Sequence, residues 1–173
     1  MQLCGDPGLA GIVLPAIKVS GSACGISRPV EVHFVSGVAL NEKPILNCDT
    51  ARTLREWVDF GAQPAVRSLQ ARITSLRVVG HYACRTRNNQ TGAKLSEHAK
   101  GNAIDIAGFT LDNGARVSVL KDWRSDKYGP ALRRMYSSAC GRFSTTLGPD
   151  ADRFHQDHMH FDTANYRGGT YCR

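Results

Sequence analysis

The sequence predicts an α+β fold, and three observations carry that reading. Stretches with strand periodicity and stretches with helical periodicity both occur along the chain. They do not alternate as regular βαβ units would require. No linker of the kind that separates two domains lies between them. At 173 residues, 42 % apolar and 21 % charged, the chain has the length and composition of a single domain with one core. No apolar run approaches the ~20 residues needed to cross a bilayer, so no transmembrane segment is expected.

The elements follow in order. Residues 1–28 are rich in Gly, Ser and Pro and read as an irregular arm held by Cys4 and Cys24. From Pro29 to Leu40, Val30, Val32, Phe34 and Val38 nearly alternate, which predicts a strand with a turn or bulge at Gly37. Asp49 or Thr50 is placed to cap a helix carrying Ala51, Leu54, Trp57 and Val58, broken near Gly61 and Pro64. A short second helix is expected over Ala65–Leu69 and a strand over Ile73–Tyr82. Residues 83–97 are a polar, basic loop punctuated by Asn88, Asn89 and Gly92. Ala103–Leu111 reads as a buried strand, Asp112-Asn113-Gly114 as a hairpin turn, and Arg116–Leu120 as the return strand. Leu132, Met135, Tyr136 and Ala139 form one stripe of a helix over Pro130–Cys140. Arg142–Arg153 reads mostly as loop and His158–Thr163 as a strand. Trp57 and Trp123 are expected in the core, and His33 and His81 in structural positions on strands.

Charge and cysteine usage narrow the setting. The formal charge is +7, but Lys and Arg are scattered rather than clustered into an arm, so nucleic acid is not the expected partner. An anionic cell wall suits the same charge. The six cysteines contain no C-x-x-C pair, which excludes a zinc ribbon and a thioredoxin-like redox site. Disulfides are therefore expected, and with them an oxidising compartment. Their connectivity is open on sequence alone; the favoured pairing is Cys24–Cys48, Cys84–Cys140 and Cys4–Cys172. The opening residues have no basic n-region, and the apolar stretch Leu9–Ile17 is interrupted by Gly11 and Pro15, so no signal peptide is read there.

The chemistry concentrates in two segments. In Asp157-His158-Met159-His160-Phe161-Asp162, a strand period of two puts His158, His160 and Asp162 on one face, with Met159 and Phe161 on the other. In Ser96-Glu97-His98-Ala99-Lys100-Gly101-Asn102-Ala103-Ile104-Asp105, a histidine ends the polar loop and an aspartate sits between two isoleucines. A buried carboxylate must be paired, protonated or bound to a cation. His98, Asp105 and His160 together offer two nitrogens, one oxygen and an open fourth position, the composition of a catalytic zinc site.

The pattern Ser96-x-His98-x-x-Gly101-x-Ala103-x-Asp105 followed by Asp157-x-x-His160 resembles the metal site of the LAS superfamily, which contains D-alanyl-D-alanine peptidases, lysostaphin-type endopeptidases and hedgehog domains. The wider chain is similar to the extensin-like C-terminal domain family of bacteria. The similarity runs through Cys24-Gly25, Tyr82 to Asn88, Leu95 to Ala107, Leu147-Gly148-Pro149 and His155 to Asp162, roughly residues 24–172. It implies an arm over residues 1–23, a domain over residues 24–173, and a LAS-type central antiparallel sheet with flanking helices and disulfide-stapled loops. It also implies a zinc-dependent peptidoglycan peptidase working through a metal-activated water, a D,D- or L,D-endopeptidase or carboxypeptidase on stem peptides, with an endopeptidase on the crosslinks favoured. One Zn2+ would be held by His98, Asp105 and His160. Asp157 matches the acidic base of one branch and His158 the assisting histidine of another; Asp157 is favoured as base, provided that it precedes the regular strand. Arg85 resembles the arginine that steadies the tetrahedral intermediate, with Arg87 as its competitor. Arg87, Ser96 and Tyr82 are candidates for substrate contact, and Asp152 and His155 for support of the site. A monomer in the periplasm or outside the cell is expected. If the protein is delivered against a rival's wall, a delivery or immunity partner is implied as well. The alternative readings are a non-catalytic, zinc-containing cell-wall-binding module, and a disulfide-rich structural domain in which His98, Asp105 and His160 lie apart. Seven prolines exclude a proline-rich fibre.

Overall fold

The computed structural model describes residues 2–165 and 168–173. In chain order its strands and helices are β1 (Leu9–Val13), β2 (Ile17–Lys18), β3 (Gly25–Ile26), β4 (Val30–Val35), β5 (Val38–Leu40), β6 (Ile45–Leu46), α1 (Cys48–Trp57), α2 (Gln63–Ala65), β7 (Ile73–Gly80), β8 (Ala103–Leu111), β9 (Arg116–Ser118), α3 (Val119–Asp122), α4 (Gly129–Ala139), β10 (Thr145–Leu147), β11 (Met159–Asp162) and β12 (Tyr171–Cys172). The main sheet runs β1-β4-β5-β7-β8-β11-β10-β12, with β6 added to β4 and β9 to β8, while β2 and β3 pair separately. The fold is α+β, as expected. The sheet is mixed rather than antiparallel, because β5–β7 and β10–β12 are parallel pairs. The β5–β7 pair is parallel because the connection between them runs through β6, α1 and α2, long enough for a crossover.

Local sequence explains most elements and several departures. The N-terminal segment is not irregular throughout: Leu9–Val13 pairs antiparallel with β4 as an edge strand. Its pattern is hard to read because Ile12 and Val13 are 48 % and 71 % exposed, and a bulge falls at Ala10/Gly11. Asn47, not Asp49 or Thr50, caps α1: its side-chain oxygen accepts from the Thr50 N–H at 2.8 Å. Asp49 instead lies in the first turn, where a carboxylate meets the positive end of the helix dipole. The helix does not break at Gly61. A π-turn over Val58–Ala62 carries it into α2, where Pro64 falls in the first turn and needs no N–H partner. The helix expected over Ala65–Leu69 is reduced to the end of α2 and a 3₁₀ turn, Arg67–Leu69. The return strand stops at Ser118, whose hydroxyl caps α3 by accepting from the Lys121 N–H. The segment expected as loop contains β10, whose three residues pair with β11.

The core lies between the sheet and the layer of α1 and α4. Leu54, Trp57, Leu132 and Met135 are fully buried there, and the Trp57 indole N–H donates to the Met135 carbonyl at 3.0 Å. Phe161 of β11 stacks on Phe143 and meets Trp57 edge-on. Met159 and Phe161 thus anchor β11 in the apolar layer and leave alternate residues for the opposite face. Among the described residues, no helix is long and apolar enough to cross a membrane.

The disulfides are Cys4–Cys48, Cys24–Cys84 and Cys140–Cys172, which replaces all three expected pairings. The reason is spatial. Cys4 lies against the start of α1, and Cys140 leaves α4 on the side where β12 runs beside β10. Cys84 is tied to Cys24 at the β3 hairpin, so the bridge holds the basic loop to the N-terminal region rather than to α4.

Non-reducing peptide mapping should return these three linked pairs, and a Cys84–Cys140 peptide would contradict the topology. Replacing Cys4 and Cys48 together by Ser should lower unfolding stability by about 2–4 kcal/mol in denaturant titration, the usual range for a bridge closing a long loop.

Candidate metal centre

His98 is positioned by a short 3₁₀ turn, Glu97–Lys100. The Ser96 hydroxyl accepts from the His98 N–H at 3.3 Å and starts the turn. Gly101 ends it at φ 68°, where a Cβ would lie 2.9 Å from the Asn47 nitrogen and from Ile26 Cγ1, so glycine is required. The imidazole is 2 % exposed. Its Nδ1–H donates to the His81 carbonyl at 2.9 Å, which in the neutral ring leaves the lone pair on Nε2. Nε2 is buried without a hydrogen-bond partner and faces Asp105 Oδ2 at 3.1 Å. A buried ring nitrogen and a carboxylate oxygen at this distance are satisfied when a proton or a metal cation lies between them.

Asp105 sits in the middle of β8, paired across to Gly80 of β7 on one side and His160 of β11 on the other. A Cβ at Gly80 would come within 2.9 Å of Asp105 Cγ, so the glycine makes room for the carboxylate. Burial alone would raise the Asp105 pKa. The His160 and His98 rings outweigh burial and hold the carboxyl well below its ordinary range.

His160 uses both ring nitrogens. Nδ1 lies 3.0 Å from Asp105 Oδ1, and Nε2 lies 2.8 Å from Asp162 Oδ2. Burial disfavours its charged form, but the two carboxylates prevail and raise its pKa to about 9. Asp162 is itself buried and its other oxygen accepts from the Ala164 N–H at 3.1 Å. A carboxylate behind a ligand imidazole fixes the ring and its tautomer. One ring nitrogen each of His98 and His160 and a carboxylate oxygen of Asp105 all lie within 4.8 Å of one another. Two imidazole nitrogens and one carboxylate oxygen suit a borderline cation such as Zn2+, and the orphaned Nε2 of His98 fits that use.

The cluster opens into a cleft of about 820 Å³ lined by Arg85, Arg87, Lys94, His155, His158 and Tyr171 among others. Asp157 does precede the regular strand, since β11 begins at Met159. Its side chain is 66 % exposed and bonds the His158 ring at Nδ1, 2.8 Å away. His158 Nε2 lies 3.8 Å from Asp105 Oδ1. His158 therefore stands between Asp157 and the cluster. Asp152 and His155 form a second pair at 2.6 Å, with His155 buried and its ring 5.0 Å from that of His158. Burial lowers the His155 pKa although Asp152 partly opposes it.

The structure brings His98, Asp105, His160, His158, Arg85, Arg87 and Ser96 to one cleft. Tyr82 is half-buried, with its backbone N–H on the Ile45 carbonyl, and is not among the residues lining the cleft. His33 pairs with Glu31 on β4, away from the cluster. Sequence reasoning placed Asp162 on the same strand face as His160 but assigned it no role, and it gave no sign that Gly80 makes room for the carboxylate.

Asp162→Asn should weaken Zn2+ binding by about 10–100-fold in competition with a chromophoric chelator, and unchanged affinity would remove the carboxylate's part. The metal-free protein should also respond to pH. The His160 imidazolium has an ordinary pKa of 6.5 and a folded value of about 9. Its contribution to stability is complete below pH 6.5 and is lost as pH rises through about 9. The thermal midpoint should fall over that window, and a flat profile would contradict the pairing.

The model of the family described as extensin-like protein C-terminus matches residues 10–173. Neither the curated proteins nor the solved structures contain a match to the chain. With the match spanning nearly the whole chain, from β1 to the last residue, the protein belongs to the extensin-like protein C-terminus family.

Proposed function

We propose that this protein is a zinc-dependent peptidoglycan peptidase of the LAS type, an endopeptidase acting on stem-peptide crosslinks. The observation that carries the reading is the buried, unpartnered Nε2 of His98 facing the Asp105 carboxylate, with His160 beside them. His98, Asp105 and His160 would hold the ion. When bound, Zn2+ would lower the pKa of a water molecule and polarise the scissile carbonyl. The His81 carbonyl and Asp162 orient the two ligand imidazoles. His158, steadied by Asp157 at Nδ1, turns Nε2 toward the cluster and is the nearer group for taking up a proton. Asp157 then acts by orienting His158, which revises the preference drawn from sequence. Arg85, on the cleft wall, is suited to the oxyanion of the tetrahedral intermediate.

Three disulfides and the absence of a spanning helix among the described residues agree with a periplasmic or secreted location, where peptidoglycan is found. The +7 charge suits an anionic wall.

Purified protein should carry about one equivalent of zinc, the load of a single His₂Asp site. Digestion of sacculi and crosslinked muropeptides, read by mass spectrometry, should give cleaved stem peptides. His98→Ala and His160→Ala should abolish those products. Retained binding to sacculi with no product from the wild type would favour a wall-binding module instead.

A further inference from the structure

Resting on the peptidase reading, we propose that the cleft carries a sugar-stacking subsite built on Tyr171 and Phe154, and that the preferred substrate is a crosslinked stem peptide still attached to its glycan rather than the free peptide. Strand register places Tyr171. Asp162 pairs with Thr145 of β10, and Thr145 pairs with Tyr171 of β12. Residues paired across a sheet share a face, and all three line the cleft. In the neighbouring row, Asp105 pairs with His160 and His160 with Leu147, which lines the cleft as well. The cleft floor therefore runs from the metal cluster across β10 to Tyr171, two strand spacings or about 10 Å from β11. The cationic residues Arg85, Arg87 and Lys94 enter from the other side, on the connection between β7 and β8.

Among the described residues, the exposed large apolar side chains that line this cleft are Phe154 and Tyr171. Apolar residues exposed singly need no explanation, but two aromatic rings in one polar cleft point to a ligand. Both rings are held in place. The Phe154 N–H donates to Asp152 Oδ1 at 2.8 Å, and the Arg153 guanidinium lies over the ring, 4.8 Å from its centroid. The Tyr171 N–H donates to the Ser144 carbonyl at 2.7 Å, and the next residue, Cys172, is bridged to Cys140. The Arg173 guanidinium lies over the Tyr171 ring, 5.2 Å from its centroid. Stem peptides offer no side chain to match these rings, since their residues are small, acidic or amine-bearing. A pyranose does offer a match. The C–H bonds on one face of the sugar suit the electron-rich face of an aromatic ring, and its hydroxyls stay in water. The crosslink lies about three or four residues from the sugar, a reach of about 10–14 Å in extended chain. That reach spans the floor from the metal cluster to Tyr171, so one substrate can occupy both.

The test uses the intact protein and two crosslinked muropeptides, one with its disaccharides in unreduced, closed-ring form and one from which an amidase has removed them. Product formation by the zinc-loaded protein gives KM and kcat. Titration calorimetry on the His98→Ala protein, in which turnover is removed, gives Kd. The sugar-bearing form should bind about three- to tenfold tighter, the range of an aromatic contact. The ratio should persist at about 0.5 M salt, because stacking is not screened as charge pairs are. The same ratio should appear in KM with little difference in kcat. Tyr171→Phe should keep the preference, and Tyr171→Ala should remove most of it. Equal Kd and KM for the two forms, or a preference unaltered in Tyr171→Ala, would overturn the subsite even with hydrolysis intact. A binding preference without hydrolysis of either form would support the subsite and count against the peptidase reading instead.

Discussion

The carboxylate of Asp105 is buried in the middle of a sheet, and much of the surrounding architecture answers to it. A charge in that position is costly unless its partners are fixed. Gly80 on one neighbouring strand gives it room, and His160 on the other lies directly across from it. His98 reaches it from a short turn that needs Ser96 to open and Gly101 to close. In the metal-free chain, His160 satisfies the carboxylate as an imidazolium shared with Asp162. His98 faces the same carboxylate through Nε2 at 3.1 Å, while its Nδ1–H is committed to the His81 carbonyl.

The strand β11 joins this site to the fold. Met159 and Phe161 enter the aromatic core with Trp57 and Phe143, while His160 and Asp162 face the cleft. Packing on one face therefore sets the position of His160 and Asp162 on the other, as a two-residue period requires. The disulfides act at the margins of this arrangement. Cys140–Cys172 joins the end of α4 to β12, and Cys24–Cys84 fixes the approach to the basic loop.

Long, regular elements were legible in the sequence. Ala103–Leu111 is continuous and apolar around Asp105, and it forms a strand with those bounds. The stripe Leu132, Met135 and Ala139 marks α4. The three ligand candidates were legible as well, because His98, Asp105 and His160 recur in a known spacing and the structure brings them together. Short elements were not. The three residues of β10 carry no period of their own and are strand only because β11 lies beside them. The edge strand β1 has two exposed apolar residues and a bulge, which blur its alternation. Disulfide pairing depends on which loops meet, and no spacing encodes that. The relation between Asp157 and His158 was also hidden, since adjacent residues in sequence do not reveal which one faces the cluster.

X-ray absorption at the zinc edge of the loaded protein tests the central claim most directly. The account predicts a first shell of two imidazole nitrogens and light oxygen donors at about 2.0–2.2 Å, with no sulfur near about 2.3 Å, and loss of this shell in His98→Ala. A sulfur-containing shell, or the same shell retained in His98→Ala, would contradict it.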